Sequence, residues 1–376
     1  MASGARHRGH RCERGGPGDV AHLANSLPRR ARSGPPQSRL GPAGGQEVRV
    51  LVTGGTGFVG AAVVRALLER GHEVRVMARD EGRLDRAVPA QPVLGDLADR
   101  ESLLRATRGC QAVIHCAADY RLALRAQDVA AMIRTNVGGT SNLLWASRAA
   151  KVERVVHCST VGTLAFDRSG RVCAEDDRAR SAAGLAGPYK RSKWAAEQIA
   201  LRWRDPEVVV VQPSTPVGGG DRRPTPTGAT IRDFLQGRIP AVVNTGLNLV
   251  DVEAVGRGHV AALERGVAGR SYILGDRNLT LAEFLTLVAQ AAGVAPPRWR
   301  LPMGAAYLAA AASEVRARWR HGVPTISMTS VRMAAHLMWV DSGRARGELD
   351  WDPGDLPRAL SDAVRELGPG RGPEGG

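Results

Sequence analysis

Val48-Arg49-Val50-Leu51-Val52-Thr53-Gly54-Gly55-Thr56-Gly57-Phe58-Val59-Gly60 opens with a short Val-rich apolar run and closes in a glycine cluster. A helical pattern follows at once, with Val63, Val64, Leu67 and Leu68 apolar and Glu69 and Arg70 polar. The stretch therefore reads as strand, tight turn, helix. Gly54, Gly57 and Gly60 are spaced so that the backbone turns sharply, approaches a pyrophosphate and packs helix on strand. Thr56, Phe58 and Val59 complete the turn and begin the helix, whose unpaired N–H groups and partial positive charge suit phosphates. The expectation is a dinucleotide cradle.

The next strand bears on which dinucleotide. Glu73 to Ala78 ends at Arg79-Asp80. An acid at this tip suits the ribose 2′-OH of NAD, whereas an arginine suits the 2′-phosphate of NADP. Arg79 comes first and its planar fork matches a phosphate, which favours NADP; Asp80 keeps NAD as the alternative.

Outward from there the chain alternates strand and helix. Pro92 to Leu97 is a short strand that delivers Asp96 and Leu97; Asp96 is read as an acceptor for the adenine amino group or as a helix N-cap. Ala112 to Ala118 is another strand, and the small Ala117 and Ala118 at its carboxyl end leave room for a cofactor. A helix is expected from about Val129 to Ala150, carrying Asn136. Glu153 to Thr160 is a strand that presents Ser159 and Thr160 at its end, and Val208 to Val211 is a further buried strand. This alternation predicts an α/β fold, a Rossmann-type doubly wound parallel sheet with right-handed crossovers, joined to a smaller C-terminal α/β substrate part. Residues 47–213 plus about 241–268 are assigned to the nucleotide-binding part, and 214–240 plus 269–365 to the substrate part.

Gly187-Pro188-Tyr189-Lys190-Arg191-Ser192-Lys193 places Tyr189 and Lys193 one turn apart on one helix face. A phenol titrates near pH ~10, so alone it moves protons poorly at neutral pH. A neighbouring ammonium favours the phenolate and brings it toward working range.

Composition narrows the function classes. The chain has 376 residues and a formal charge of +15. Only Lys151, Lys190 and Lys193 are lysines; the remaining 49 basic residues are arginines, spread along the chain and interleaved with acids. Such scatter reflects GC-rich coding better than a nucleic-acid groove, and no nucleic-acid motif accompanies it. The five cysteines, Cys12, Cys110, Cys116, Cys158 and Cys173, show no metal-ligand spacing and point to reduced thiols in a cytoplasmic protein. Cys116 and Cys158 end apolar runs and read as buried packing residues. Residues 1–46, rich in Gly, Pro, Arg and Ser, are expected to be disordered or to result from an upstream start site. No apolar run approaches the ~18 residues of a membrane span.

Taken together, Gly54-x-x-Gly57-x-x-Gly60, Asp96-Leu97, the hydroxyl after the fifth strand and Tyr189-x-x-x-Lys193 resemble an extended short-chain dehydrogenase/reductase. Asp341-Ser342 and Glu348-Leu349-Asp350-Trp351-Asp352-Pro353 resemble that family's C-terminal signature, so the likeness spans about residues 48 to 365. A narrower similarity, to hopanoid-associated sugar epimerases, rests on Ala117-Ala118-Asp119-Tyr120-Arg121-Leu122, the Gly187–Lys193 segment, Pro213-Ser214-Thr215-Pro216, Pro224 to Gly228, Asp233 to Arg238 and Asn244 to Val250. Dihydroflavonol reductases look like more distant relatives. The resemblance implies hydride transfer with Tyr189 as acid/base, Lys193 on the nicotinamide ribose and Thr160 on the reacting oxygen, with Ser159 as fallback. It implies that Asn136 orients Lys193 through water and that Pro213 begins the segment behind the nicotinamide. Val161-Gly162 stands where the dehydratases carry an acid pair, which argues against dehydration. Asp251-Val252-Glu253-Ala254 and Ala123 also depart from the family pattern.

Three functions follow: an epimerase acting on a sugar or sugar-bearing lipid, an NADPH-dependent ketone reductase of the dihydroflavonol or hydroxysteroid kind, and a silent NADP-sensing regulator. The retained Tyr189, Lys193 and Thr160 favour an enzyme. Arg222, Arg223 and Arg238 are read either as a diphosphate subsite or as solvated surface arginines. No metal is expected, the partner is a small molecule, and a homodimer is possible.

Overall fold

The computed structural model describes residues 47–80, 82, 89–121, 126–167, 169–239, 241–319 and 328–368. The N-terminal stretch 1–46 and Leu122 and Ala123 lie outside them.

The first half alternates as its sequence requires: β1 (Arg49–Thr53), α1 (Phe58–Glu69), β2 (Glu73–Ala78), β3 (Gln91–Leu94), α2 (Arg100–Thr107), β4 (Ala112–His115), α3 (Ala126–Ile133), α4 (Gly139–Ala149), β5 (Arg154–Cys158), α5 (Gly187–Arg202) and β6 (Glu207–Pro213). Then come β7 (Thr215–Val217), α6 (Pro226–Leu235), β8 (Ala241–Val243), β9 (Gly246–Asp251), α7 (Val252–Arg265) and β10 (Ser271–Leu274). The chain finishes with β11 (Arg277–Thr280), α8 (Leu281–Ala292), β12 (Trp299–Leu301), α9 (Met303–Trp319), α10 (Met328–Ala334), β13 (Leu337–Met338), α11 (Gly343–Leu349) and α12 (Leu356–Leu367).

Seven strands form one parallel sheet in the order β10-β6-β5-β4-β1-β2-β3. The chain winds outward in both directions from β1 and β4, which opens a crevice at their carboxyl ends. Strands covered on both faces read as continuous apolar runs, and Val208 to Val211 are all fully buried. Period-two alternation divides the core. Val50, Val52, Ile114, Val156 and Val211 face α1 and α7. Leu51, Val113, Val155 and Val210 face α2, α4 and α5. Arg154, 1% exposed, ties β5 to β6 through Glu207 at 2.6 Å and to the end of α7 through the carbonyls of Leu263 and Gly266.

The second part is built from β7, β9, β11 and β13, with β9 central, and from α6, α8 and α12, which share a core of Ile231, Phe284, Leu285, Val288, Leu356 and Leu360. Two boundaries differ from the sequence expectation. β9 falls inside 241–268 yet pairs with β7 and β11 in the smaller sheet. β10 falls beyond 268 yet pairs in parallel with β6 and extends the large sheet. Both strands are short apolar runs, and periodicity alone does not say which sheet such a run joins.

The helix expected over Val129 to Ala150 is also corrected. α3 and α4 are joined by a π turn at Arg134–Gly138 that contains Asn136. The extra residue of a π turn re-aims the side chains it carries. No helix among the described residues is long and apolar enough to cross a membrane.

Candidate functional site

The glycine turn forms because two positions exclude any side chain. Gly54 has φ +75°, and a Cβ there would lie 2.6 Å from the Ala117 backbone nitrogen. A Cβ on Gly60 would lie 2.0 Å from the Gly54 carbonyl oxygen. Gly57 donates to Gly54 O at 2.9 Å, which closes the turn. The N-cap of α1, Gly57, has no side-chain bond to the helix, and the first turn holds no acid. Thr56 is exposed and Phe58 and Val59 are half-buried at this bare helix start, where unpartnered N–H groups suit an anion. The residues present therefore fit a dinucleotide pyrophosphate.

At the tip of β2, Arg79 and Asp80 are both exposed. Asp80 accepts from Gly82 N at 3.0 Å and so serves its own turn, whereas Arg79 has no ion-pair partner among the described residues. Asp96 is exposed, and its Oδ1 accepts from Ala98 N at 2.8 Å. The cap of α2 is Asp99, which accepts from Glu101 N at 3.0 Å; the N-cap reading of Asp96 is thereby corrected. Leu97 is buried in the core below. Ala117 and Ala118 are half-buried beyond β4, and Pro213 ends β6.

Across the crevice α5 begins with Pro188 in its first turn and carries Tyr189 and Lys193 on one face. Lys193 is 4% exposed and donates to Cys158 O at 2.6 Å; burial lowers its pKa. Tyr189 stacks against Tyr120, with ring centroids 4.5 Å apart and planes tilted by 47°. Burial, then Tyr120, push the Tyr189 phenol well above its ordinary value. In the protein alone, desolvation sets the direction of the shift, and Lys193 donates to Cys158 O.

Asn136 acts on the same helix by direct contact. It accepts from Asp119 N at 2.7 Å and donates to Asp119 O and to Ser192 Oγ at 3.1 and 2.9 Å. Ser192 in turn donates to Tyr189 O at 2.8 Å. The π turn thus clamps the loop carrying Tyr120 to the turn carrying Tyr189, and the direct side-chain partner of Asn136 on α5 is Ser192.

The two strand-end hydroxyls separate. Ser159 is 5% exposed and donates to Glu197. Glu197, fully buried on α5, also accepts from Thr163 Oγ1 at 2.9 Å and Gln212 Nε2 at 3.1 Å. Burial raises its pKa, against the hydrogen bonds that favour its charge. Thr160 is half-buried and only caps a short turn by accepting from Gly162 N at 3.1 Å. Ser159 therefore holds the fold together, while Thr160 is the hydroxyl with spare capacity. Neither Glu197 nor Gln212 was anticipated from sequence, and an acid one turn after Lys193, among Ala195, Ala196, Ile199 and Ala200, was the available signal.

His115 was read only as part of a strand. It is 2% exposed, with Nδ1 2.7 Å from Thr53 Oγ1 and Nε2 3.1 Å from Thr140 Oγ1. Burial, with Lys193 nearby, lowers its pKa to about 3, so the ring is neutral.

The arginines considered for a diphosphate are placed differently from one another. Arg238 pairs with Asp233 at 3.0 Å. Arg222 and Arg223 are exposed, and Arg222 lines a groove with Glu69, Asp221, Asp362 and Glu366 on the α1 and α12 side of the molecule.

Residues 50–275 match the family model described as the NAD dependent epimerase/dehydratase family. The chain is 39% identical over 321 residues to a putative dihydroflavonol 4-reductase of Synechocystis sp., covering 83% of this chain and 92% of that protein. It is 34% identical over 336 residues to the 4-hydroxy-2-methyl-3-oxo-4-farnesyl-3,4-dihydroquinoline-1-oxide ketoreductase of Stigmatella aurantiaca, covering 86% and 97%. The crystal structure of gox2253 superposes with a TM-score of 0.75 at 39% identity, covering 86% of this chain and 98% of that one. With its doubly wound sheet and glycine turn, the chain belongs to the NAD dependent epimerase/dehydratase family, within the extended short-chain dehydrogenases/reductases, and is an NAD(P)-dependent enzyme.

Proposed function

We propose that the protein is an NADP-dependent reductase of a ketone on an apolar, ring-bearing or prenylated substrate. The observation that carries this reading is the Tyr189–Tyr120 stack one turn from buried Lys193. A phenol whose pKa is raised by burial rests protonated, which suits a group that donates a proton to a nascent alkoxide. Gly54, Gly57, Gly60 and the start of α1 would hold the pyrophosphate, Arg79 the 2′-phosphate and Ala117, Ala118 and Pro213 the crevice wall. When bound, the nicotinamide supplies the hydride. Lys193 holds the ribose side of the crevice, Thr160 orients the reacting oxygen and Asn136 fixes the turn that carries Tyr189.

Support for the substrate class comes from the surroundings of the phenol. Tyr120 is 45% exposed beside it, and Lys190, its pKa lowered to about 8 by burial, donates to the Met338 sulfur at 3.2 Å. Arg238 is engaged with Asp233 and offers little to a diphosphate. Further support comes from the two relatives above, both of which bear the names of reductases.

A second reading, a sugar epimerase acting on an activated or lipid-linked sugar, is favoured by the description of the matched family. It requires a nucleotide held through oxidation and re-reduction. Releasing and identifying the nucleotide that co-purifies discriminates the two. Weakly held NADPH consumed by added cyclic ketones supports the reductase; stoichiometric, non-exchanging NAD⁺ overturns it in favour of the epimerase.

A further inference from the structure

Below the crevice, on the sheet face away from α5, lies a cluster that the redox site does not use. Parallel pairing sets His115 beside His157, so Cys116 and Cys158 stand side by side one residue further on. Alternation along each strand turns both cysteines, with Ile114 and Val156, toward α1 and α7. His259 comes from α7, which packs on that face. One ligand atom from each of Cys116, Cys158 and His259 lies within 4.8 Å of the other two.

The histidine is set as a ligand would be. It is fully buried. Its Nδ1 lies 2.8 Å from the Val255 carbonyl, an acceptor only, so Nδ1 carries the proton and Nε2 keeps its lone pair. That Nε2 makes no hydrogen bond of normal geometry, and the polar group it meets is the Cys158 thiol. A buried acceptor without a partner costs about 1–3 kcal/mol. An imidazole whose other nitrogen is anchored to a backbone carbonyl is the usual arrangement behind a metal-bound histidine.

We propose that Cys116, Cys158 and His259 form a site for one thiophilic divalent cation of the Zn²⁺ type. Tetrahedral bonds of ~2.3 Å to sulfur and ~2.0 Å to nitrogen bring such atoms to about 3.5–3.8 Å apart, inside the 4.8 Å limit of the present cluster. Two thiolates and a neutral imidazole around a divalent cation sum to zero charge. That matters beneath Lys193, whose ammonium lies 2.6 Å from Cys158 O. Both cysteines are half-buried whereas His259 is sealed, so the ion enters from the cysteine side and takes its remaining ligand there. A disulfide between the two cysteines is the competing use of the pair, and it would leave Nε2 without a partner.

The test is titration of reduced, chelator-stripped full-length protein with Co²⁺ under anaerobic conditions. A thiolate-to-cobalt charge-transfer absorption that saturates at one equivalent and is displaced by Zn²⁺ is expected. Cys116→Ser and Cys158→Ser should abolish it, His259→Gln should weaken binding by ~10-fold or more, and Cys110→Ser and Cys173→Ser should leave it unchanged. Unfolding midpoints measured in chelator show whether each variant folds like the parent. The proposal is overturned by absence of the absorption in the folded parent protein, by its survival in both Cys116→Ser and Cys158→Ser, or by isolation of the protein with these two cysteines as a disulfide that persists in its functional form.

Discussion

The starts of α1 and α8 are built from the same backbone physics and end oppositely. Thr280 accepts from Glu283 N at 3.2 Å and Glu283 reaches back to Thr280 N at 2.7 Å, a complete capping box. Asp99, Thr225, Asp251 and Asp355 likewise cap α2, α6, α7 and α12. α1, by contrast, begins at Gly57 with no side-chain cap and no acid in its first turn, and α5 begins at Ala186 in the same bare way. Those five capped ends serve the fold; the short α11, which starts at Ser342 without a side-chain cap, lies against α7 and β10, while the bare starts of α1 and α5 border the crevice. A ligand that satisfies those N–H groups gains what a cap would otherwise supply.

The strongest way to break this contrast is at α5. Tyr189→Phe keeps the ring and its stack on Tyr120 and removes the proton. Turnover is expected to fall by ~10²–10⁴-fold, the usual range for a positioned acid, with nucleotide binding within a few-fold of the parent. Steady-state kinetics paired with calorimetric binding checks both, and near-normal turnover would sink the role given to Tyr189. At α1, Gly60→Ala drives a Cβ to 2.0 Å from Gly54 O. The loop must shift, at about 1–3 kcal/mol of stability. Loss of two charge-assisted N–H contacts weakens nucleotide binding by ~100-fold. Equal affinity in the variant would mean that the bare start of α1 is not where the phosphates sit.

These two regions also show what a sequence exposes. The Gly54–Gly60 turn and the strand–helix alternation were legible because each is local: a glycine spacing and a hydrophobic period a few residues long. The bare cap of α1 was legible for the same reason. The network around Glu197 was not, since Ser159 stands 38 positions from its partner and the sheet alone brings them together. The π turn at Asn136 was hidden because its 5 residues are too few for periodicity to tell a π turn from an α turn. The strand order that gives β9 to one sheet and β10 to the other is decided by tertiary packing, which short apolar runs do not encode. The burial that raises the Tyr189 pKa is likewise not visible in sequence, whereas its spacing to Lys193 is.

The crevice floor sharpens the contrast in another way, since His115 is as fully satisfied as a capped helix. Both of its nitrogens are bonded to threonines and its pKa is lowered from 6.5 to about 3. Between those values the unfolded chain binds a proton that the native chain does not, so stability is intact above pH ~6.5 and falls as pH drops toward 3. The slope from this group approaches ~1.4 kcal/mol per pH unit. His115→Gln preserves hydrogen bonding without titration and should flatten the acid limb in urea unfolding at pH 6.5, 5.5 and 4.5. An unchanged limb would show that His115 takes up a proton without loss of structure.

The smallest effect belongs to the satisfied end of the comparison. Thr280→Ala removes one half of the α8 capping box, 3.2 Å from Glu283 N. It should cost about 1 kcal/mol of stability, the typical value for such a cap, with no change in nucleotide affinity or turnover, because α8 belongs to the core of the second part formed by Phe284, Leu285 and Val288. Thermal unfolding and kinetics on the same preparation separate the two quantities. A loss of turnover at full stability would mean that this helix start also faces a ligand, and the division between capped ends that hold the fold and bare ends that hold a cofactor would then fail at the position where it is drawn most sharply.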